Sequence, residues 1–238
     1  VSELIDLIKR GFFYQLFVPK EVLDSKAALA YLECELFSEA LQCLERAIPY
    51  SDSRELTTLQ IGLVKALFAT GDFKRAELEG KNLIRNVVKL PELLAFTAGA
   101  GIALGKSDDE TMRMLDEAEK LSPCDDVKLM IMLSRIEAAL LQGRKLPDLE
   151  NSADSSRKFL RAWIHLVRGK LREHRGDSEK AVQSFEKAIA ALPNCFVAAE
   201  AKRHLKTLND IASASLQSQR QDNSITKDST KKKKRKRR

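Results

Sequence analysis

The chain has 238 residues, 44% hydrophobic and 32% charged, a mix that can bury a core and excludes a mostly disordered protein. Aromatics at 6%, ten glycines and six prolines, without Gly- or Pro-punctuated β runs, argue against a β-sandwich or a collagen-like chain and for helices. The net charge of +7 is not spread over the fold: ten basic residues against Asp222 and Asp228 lie beyond position 212, leaving 31 basic and 32 acidic residues before it.

From the N-terminus, residues 1–20 predict an amphipathic helix over Leu4–Phe17 carrying Phe12, Phe13, Tyr14 and Phe17. It is expected to dock on the first repeat of the chain or to continue a longer array. The run Gly11–Val18 comes nearest to a membrane span, but it is broken by Gln15 and far short of the ~20 residues that cross a bilayer. Neither membrane contact nor secretion is expected. Cys34, Cys43, Cys124 and Cys195 form no CxxC pair and read as small buried apolar residues in a reducing compartment. With the three histidines they supply no zinc-ligand spacing.

Residues 21–194 carry an internal repeat. In RGDSEKAVQSFEKAIAALP, from Arg175, a Gly176-Asp177 turn precedes a helix with Ala181, Phe185 and Ala188 on one face, capped by Asp177 or Ser178 and stopped at Pro193. Upstream, Arg157–Glu173 predicts a helix with Leu160, Ile164, Val167 and Leu171 as its stripe. The second-helix pattern recurs at Ala40, Leu44 and Ala47, at Ala76, Gly80 and Leu83, and at Thr111, Leu115 and Ala118. The markers Ala47, Leu83, Ala118, Ala153 and Ala188 are spaced by 36, 35, 35 and 35 residues. A fourth hairpin, over 127–154, has a clear first helix and a poor second one in LPDLENSADS. Residues 195–212 predict one further helix with Phe196, Ala199, Leu205 and Leu208 on a face, expected to cover the open end of the array. Residues 213–238 are polar, without apolar period, and end in KKKKRKRR, which predicts a disordered tail.

Two helices per unit near 34 residues resemble the tetratricopeptide repeat (TPR) family. The last unit matches its pattern at Gly169, Gly176, Ala181, Phe185, Ala188 and Pro193, and the first and third match in part, at Ala28, Tyr31 and Ala40 and at Gly99, Thr111 and Pro123. The resemblance implies an all-α TPR-like solenoid of about five helical hairpins with a C-terminal capping helix. It also implies a groove lined by the first helices, where Lys65, Phe68, Phe96, Arg135, Trp163, Lys170 and His174 are candidate binding positions for an amphipathic or extended partner segment. The Lys/Asn clamp of the chaperone-binding subgroup is missing, since Ser25, Leu29, Gly62, Leu93 and Thr97 stand at its places; an Hsp70/Hsp90 carboxylate-clamp binder is not expected.

GAGIALGKS, residues 99–107, mimics a phosphate loop but has Ala100 where Walker A needs Gly, and it ends a helix rather than following a strand. No nucleophile–base pair is legible, so no enzyme, cofactor or metal is expected. Arg161, His165, Arg168, Arg172 and Arg175, spaced by four, three, four and three, form a basic ridge on one helix. It reads as a solvated face or as a site for an acidic partner segment. Lys231, Lys232, Lys233, Lys234, Arg235, Lys236, Arg237 and Arg238 resemble a nuclear localisation signal read by an import receptor, and such a run also meets RNA phosphates. The expectation is a non-catalytic scaffold or adaptor in a nuclear multiprotein complex. A ribonucleoprotein subunit with an RNA-binding tail and a cytoplasmic trafficking or ciliary adaptor stay open beside it.

Overall fold

The computed structural model describes residues 20–122, 124–144, 149 and 155–214, and every regular element among them is helical. In chain order these are α1 (Lys20–Glu33), α2 (Phe37–Ala47), a 3-10 turn (Ile48–Tyr50), α3 (Ser53–Thr70), α4 (Phe73–Asn86), α5 (Pro91–Ala103), α6 (Asp109–Leu121), α7 (Asp125–Leu141), α8 (Lys158–His174) and α9 (Ser178–Ala191). A last helix, α10, runs from 196 through 214. The expected N-terminal helix, most of the fourth hairpin's second half and nearly all of the tail lie outside the described residues. Helix α10 runs past the expected limit at 212, because Ser213 and Ala214 hold nothing that breaks a helix.

Each hairpin turns the same way. The amides of Leu36, Asp72, Lys106, Arg144 and Asp177 donate to the carbonyls of Tyr31, Leu67, Gly101, Ala139 and Arg172, five residues back, at 2.9–3.0 Å. This is the six-to-one bond of a left-handed helix end, and the preceding residue has positive φ each time: Glu35, Gly71, Gly105, Gly143 and Gly176. Glycine serves four of the five turns because a Cβ is disfavoured there. Aspartates then open three of the outer helices: Asp72, Asp108 and Asp177 accept from the amides of Arg75, Thr111 and Lys180, satisfying donors that the helix start leaves free. The hydrogen bonds from Thr111 hold the Asp108 carboxyl below its ordinary pKa.

Helices α1, α3, α5, α7 and α8 pack side by side as an inner row, and α2, α4, α6 and α9 pack against them as an outer row. The repeat markers form the seam between rows: Ala40, Leu44, Ala47, Ala76, Leu83, Thr111, Leu115, Ala118, Ala181, Phe185 and Ala188 are all buried. Small residues permit close approach and a large one fills the remaining gap. A Cβ on Gly169 would enter the space of the Phe185 ring, and one on Gly99 would lie 3.1 Å from the Phe68 ring. Gly99 thus lies within α5 as a packing residue, with no phosphate loop around it.

The row curls until its ends meet. The amide of Phe159, at the start of α8, donates to both carboxylate oxygens of Glu35 at 3.3 Å, across 124 residues of chain. The Phe159 ring meets Phe37 edge-on at 5.4 Å. Of the four cysteines, Cys43 and Cys195 are buried, which pushes both thiols up, and Cys34 is half-buried. Cys124 corrects the expectation: it is exposed, because it precedes the first turn of α7 at the edge of the row.

Candidate functional site

The curl brings seven rings together on the inner face. Phe68 of α3 lies 5.3 Å from Phe96, 5.4 Å from Trp163, 5.1 Å from Phe196 and 5.7 Å from Phe73, and Phe159 lies 6.0 Å from Trp163. Phe37 joins through Phe159. Most pairs are tilted or edge-on, the arrangement aromatic quadrupoles favour. The start of α10 enters this cluster because Gly71 leaves it room: a Cβ there would stand 3.2 Å from the Cβ of Phe196. The cluster fills the middle of the inner face and leaves a cavity at either end.

The larger cavity, about 430 Å³, lies where α5, α7 and α8 end and α10 passes. Phe68, Ile102, Ala103, Leu140, Leu141 and Phe196 give it an apolar floor, and charged side chains line its rim. Lys170 of α8 sits 2.7 Å from both Glu137 of α7 and Glu200 of α10. Glu137 also accepts from the Trp163 indole at 3.1 Å. His204 Nδ1 stands 2.7 Å from Glu173, its ring stacked on Phe185 at 5.0 Å. Burial alone would favour a neutral Lys170, but the charges of Glu137 and Glu200 outweigh it and hold the amine above its ordinary range. Burial likewise pushes Glu200 up, yet His204, Lys170 and Arg203 together bring it down to about 2. The cluster thus holds Lys170 between two carboxylates.

The smaller cavity, about 290 Å³, lies at the opposite ends of the same helices, between Glu35, Phe37, Phe96, Cys124, Met130 and Phe159 among others. Its polar edge is internally paired: Lys65 with Glu92 at 3.8 Å, and Arg157 with Asp126 at 3.1 Å.

The expected binding positions are therefore divided. Phe68, Phe96 and Trp163 are buried against one another and against Phe159 and Phe196. In place of the open surface expected for a groove, these three meet the chain's own aromatics. Lys170 and His174 line the larger cavity and Lys65 the smaller. Arg135 lines neither; it turns to the outer row, 2.7 Å from Asp116 and 2.8 Å from Glu119.

The basic ridge is likewise not a plain solvated face, since Arg161, His165, Arg168 and Arg172 are half-buried and only Arg175 is exposed. Arg172 donates to Ser184 at 2.7 Å and to the Lys180 carbonyl, lying over α9, and Arg168 donates to the carbonyl of Leu149. The Lys231–Arg238 run lies outside the described residues.

Glu137, Glu173, Glu200, Arg203 and His204 were not singled out by the sequence. A signal was present: Lys170 and Glu200 are 30 positions apart, Glu137 and Lys170 33, and Glu173 and His204 31. Opposite charges set near one repeat length apart fall side by side on neighbouring inner helices. No protein-family model, curated protein or solved structure matches the chain.

Proposed function

We propose that this protein is a non-catalytic adaptor, a TPR-like solenoid whose last helix closes the array and whose partner segment enters the larger cavity. The observation that carries the reading is the division of the inner face. The aromatic cluster occupies the middle, and the cavity beside α10 keeps an apolar floor under a charged rim, the usual form of a segment-binding site. The repeat markers buried between two helical rows support the solenoid assignment. The Lys231–Arg238 run supports a nuclear address, with the import receptor as its reader. The same run favours the second reading, a ribonucleoprotein subunit whose tail grips RNA while the array holds protein.

A photo-crosslinking residue in the full chain tests the adaptor reading. Placed at Leu141, 55% exposed on the cavity rim, it is expected to trap a discrete partner in nuclear extract. At Leu78, 59% exposed on outer helix α4, it is expected to trap none. Equal trapping at both positions, or none at either, defeats the reading. Deletion of Lys231–Arg238 separates the two alternatives. Loss of nuclear accumulation with an unchanged cross-link marks an address, and loss of RNA-dependent partners with unchanged location marks an RNA grip.

A further inference from the structure

We propose that residues 4–17 of this chain dock along the edge of the array where the inner helices begin, and cover the apolar side chains that stand there. Among the described residues, Val22, Tyr50, Val87, Leu90 and Leu121 are exposed at the starts of inner helices or just at the ends of outer ones. The other large apolar side chains left exposed are scattered over the rest of the surface. An apolar surface concentrated in one place marks a contact.

The contacts beneath these side chains join them into one strip. Arg46, in the last turn of α2, donates to Asp24, near the start of α1, at 2.7 and 3.0 Å, and Lys26 meets Glu55 at the start of α3 at 3.0 Å. Ile48 and Val87 line one cavity of about 330 Å³ between α3 and α4. Leu90 and Cys124 both line the smaller inner cavity, and Lys89 holds Glu117 of α6 at 2.9 Å.

The occupant follows from where the chain joins this edge and from how far it reaches. Residues 1–19 lead into α1 at Lys20, so they are tethered beside Val22. In their sequence Ile5, Ile8, Phe12 and Leu16 recur at spacings of three, four and four, one apolar face at helical period. Wound at that period, residues 4–17 span about 20 Å. Two steps between neighbouring inner helices, from α1 to α5, also come to about 20 Å. The near end of the segment thus meets Val22 and Tyr50, and its far end Val87 and Leu90. Burying apolar area on both sides drives the docking. The tether spares most of the translational entropy that a separate partner would lose, which favours this occupant over a free one.

The test places a photo-crosslinking residue in the purified full chain at Tyr50, 73% exposed, or at Val87, 54% exposed. Trypsin, cutting after Lys9, Arg10 and Lys20, separates residues 1–9 from 11–20, and mass spectrometry reads which peptide is captured. Tyr50 is expected to capture 11–20 and Val87 to capture 1–9, both within one chain, while Leu78 on the outward side of α4 captures neither. Any other pattern overturns the proposal: no capture at Val87, capture of the tail, capture between two copies, or equal capture at Leu78. Ile5→Ser with Ile8→Ser, which changes none of the described helices, is expected to lower the Val87 capture to the Leu78 level with an unchanged circular dichroism spectrum. A Val87 capture that persists in this variant means that the tether alone brings the segment there, and it also overturns the proposal. The edge lies opposite the larger cavity, so its failure leaves the adaptor reading, tested at Leu141, untouched.

Discussion

Along the outer row, Arg75 reaches Glu45 at 2.9 Å between α4 and α2, and Lys81 reaches Glu110 at 2.7 Å and Lys89 reaches Glu117 at 2.9 Å onto α6, with most of these side chains 40–58% exposed. On the inner face the same junctions are crossed by buried rings, and Phe68 alone meets Phe73, Phe96, Phe159, Trp163 and Phe196. Both features repeat with the hairpins, but they differ in reach. An ion pair joins only adjacent units and is screened by water and salt. A ring at the centre of the curl joins the second hairpin to the fifth and to α10. The inner face thus turns a quasi-linear array, in which each unit touches only its neighbours, into one with long-range closure.

The largest expected effect is at Phe68. Phe68→Ala removes the ring that most of the others touch, and a loss of about 3–5 kcal/mol is expected from denaturant unfolding. Fluorescence of Trp163, the only tryptophan, is expected to report the change. A loss under about 1 kcal/mol, the scale of a surface pair, would erase the distinction between the faces.

Acid provides the next test, because the charged rim joins α7, α8 and α10. The pKa of Glu200 is about 2 in the fold against an ordinary 4.5. The unfolded chain therefore binds the proton more readily, and the contribution is present above about pH 4.5 and lost as pH falls toward 2. It amounts to at most about 3 kcal/mol. Wild type and Glu200→Gln, unfolded at a series of pH values, are expected to converge in stability over that window. A constant difference down to pH 2 would show that the rim is not held by this carboxylate.

The smallest effect is expected on the outer row. Lys81 bridges Glu77 at 3.1 Å and Glu110 at 2.7 Å, and Glu77 keeps Lys106 at 2.6 Å when Lys81 is removed. Lys81→Ala is therefore expected to cost no more than about 1 kcal/mol, and less in high salt. A larger cost would make the outer row an equal partner in cohesion.

Much of the helical stack was legible because its signals are local. The stripe Leu160, Ile164, Val167 and Leu171 is buried as its period requires, and Asp177 caps α9 through the amide of Lys180. The helix expected over Arg157–Glu173 occupies Lys158–His174. The site was legible only in pieces. Lys170 and His174 came from repeat alignment, but alignment could not separate them from Arg135, whose guanidinium turns outward because Asp116 and Glu119 lie within its reach. Glu35 was passed over, since nothing local distinguishes an exposed turn glutamate from one that meets Phe159 across 124 residues.

The amino-acid sequence by itself determined the hairpins, their near-constant length and the residues that seal each pair of helices, because periodicity, helix caps and turn glycines act within a few residues of one another. How tightly the row curls was decided only in the tertiary structure. A small rotation at each junction accumulates along the array, and whether the curl ends in an open groove or in contact depends on how all the inner side chains pack at once. Here they pack ring against ring, so three expected groove aromatics became core. The two spaces the aromatic cluster leaves unfilled became the cavities.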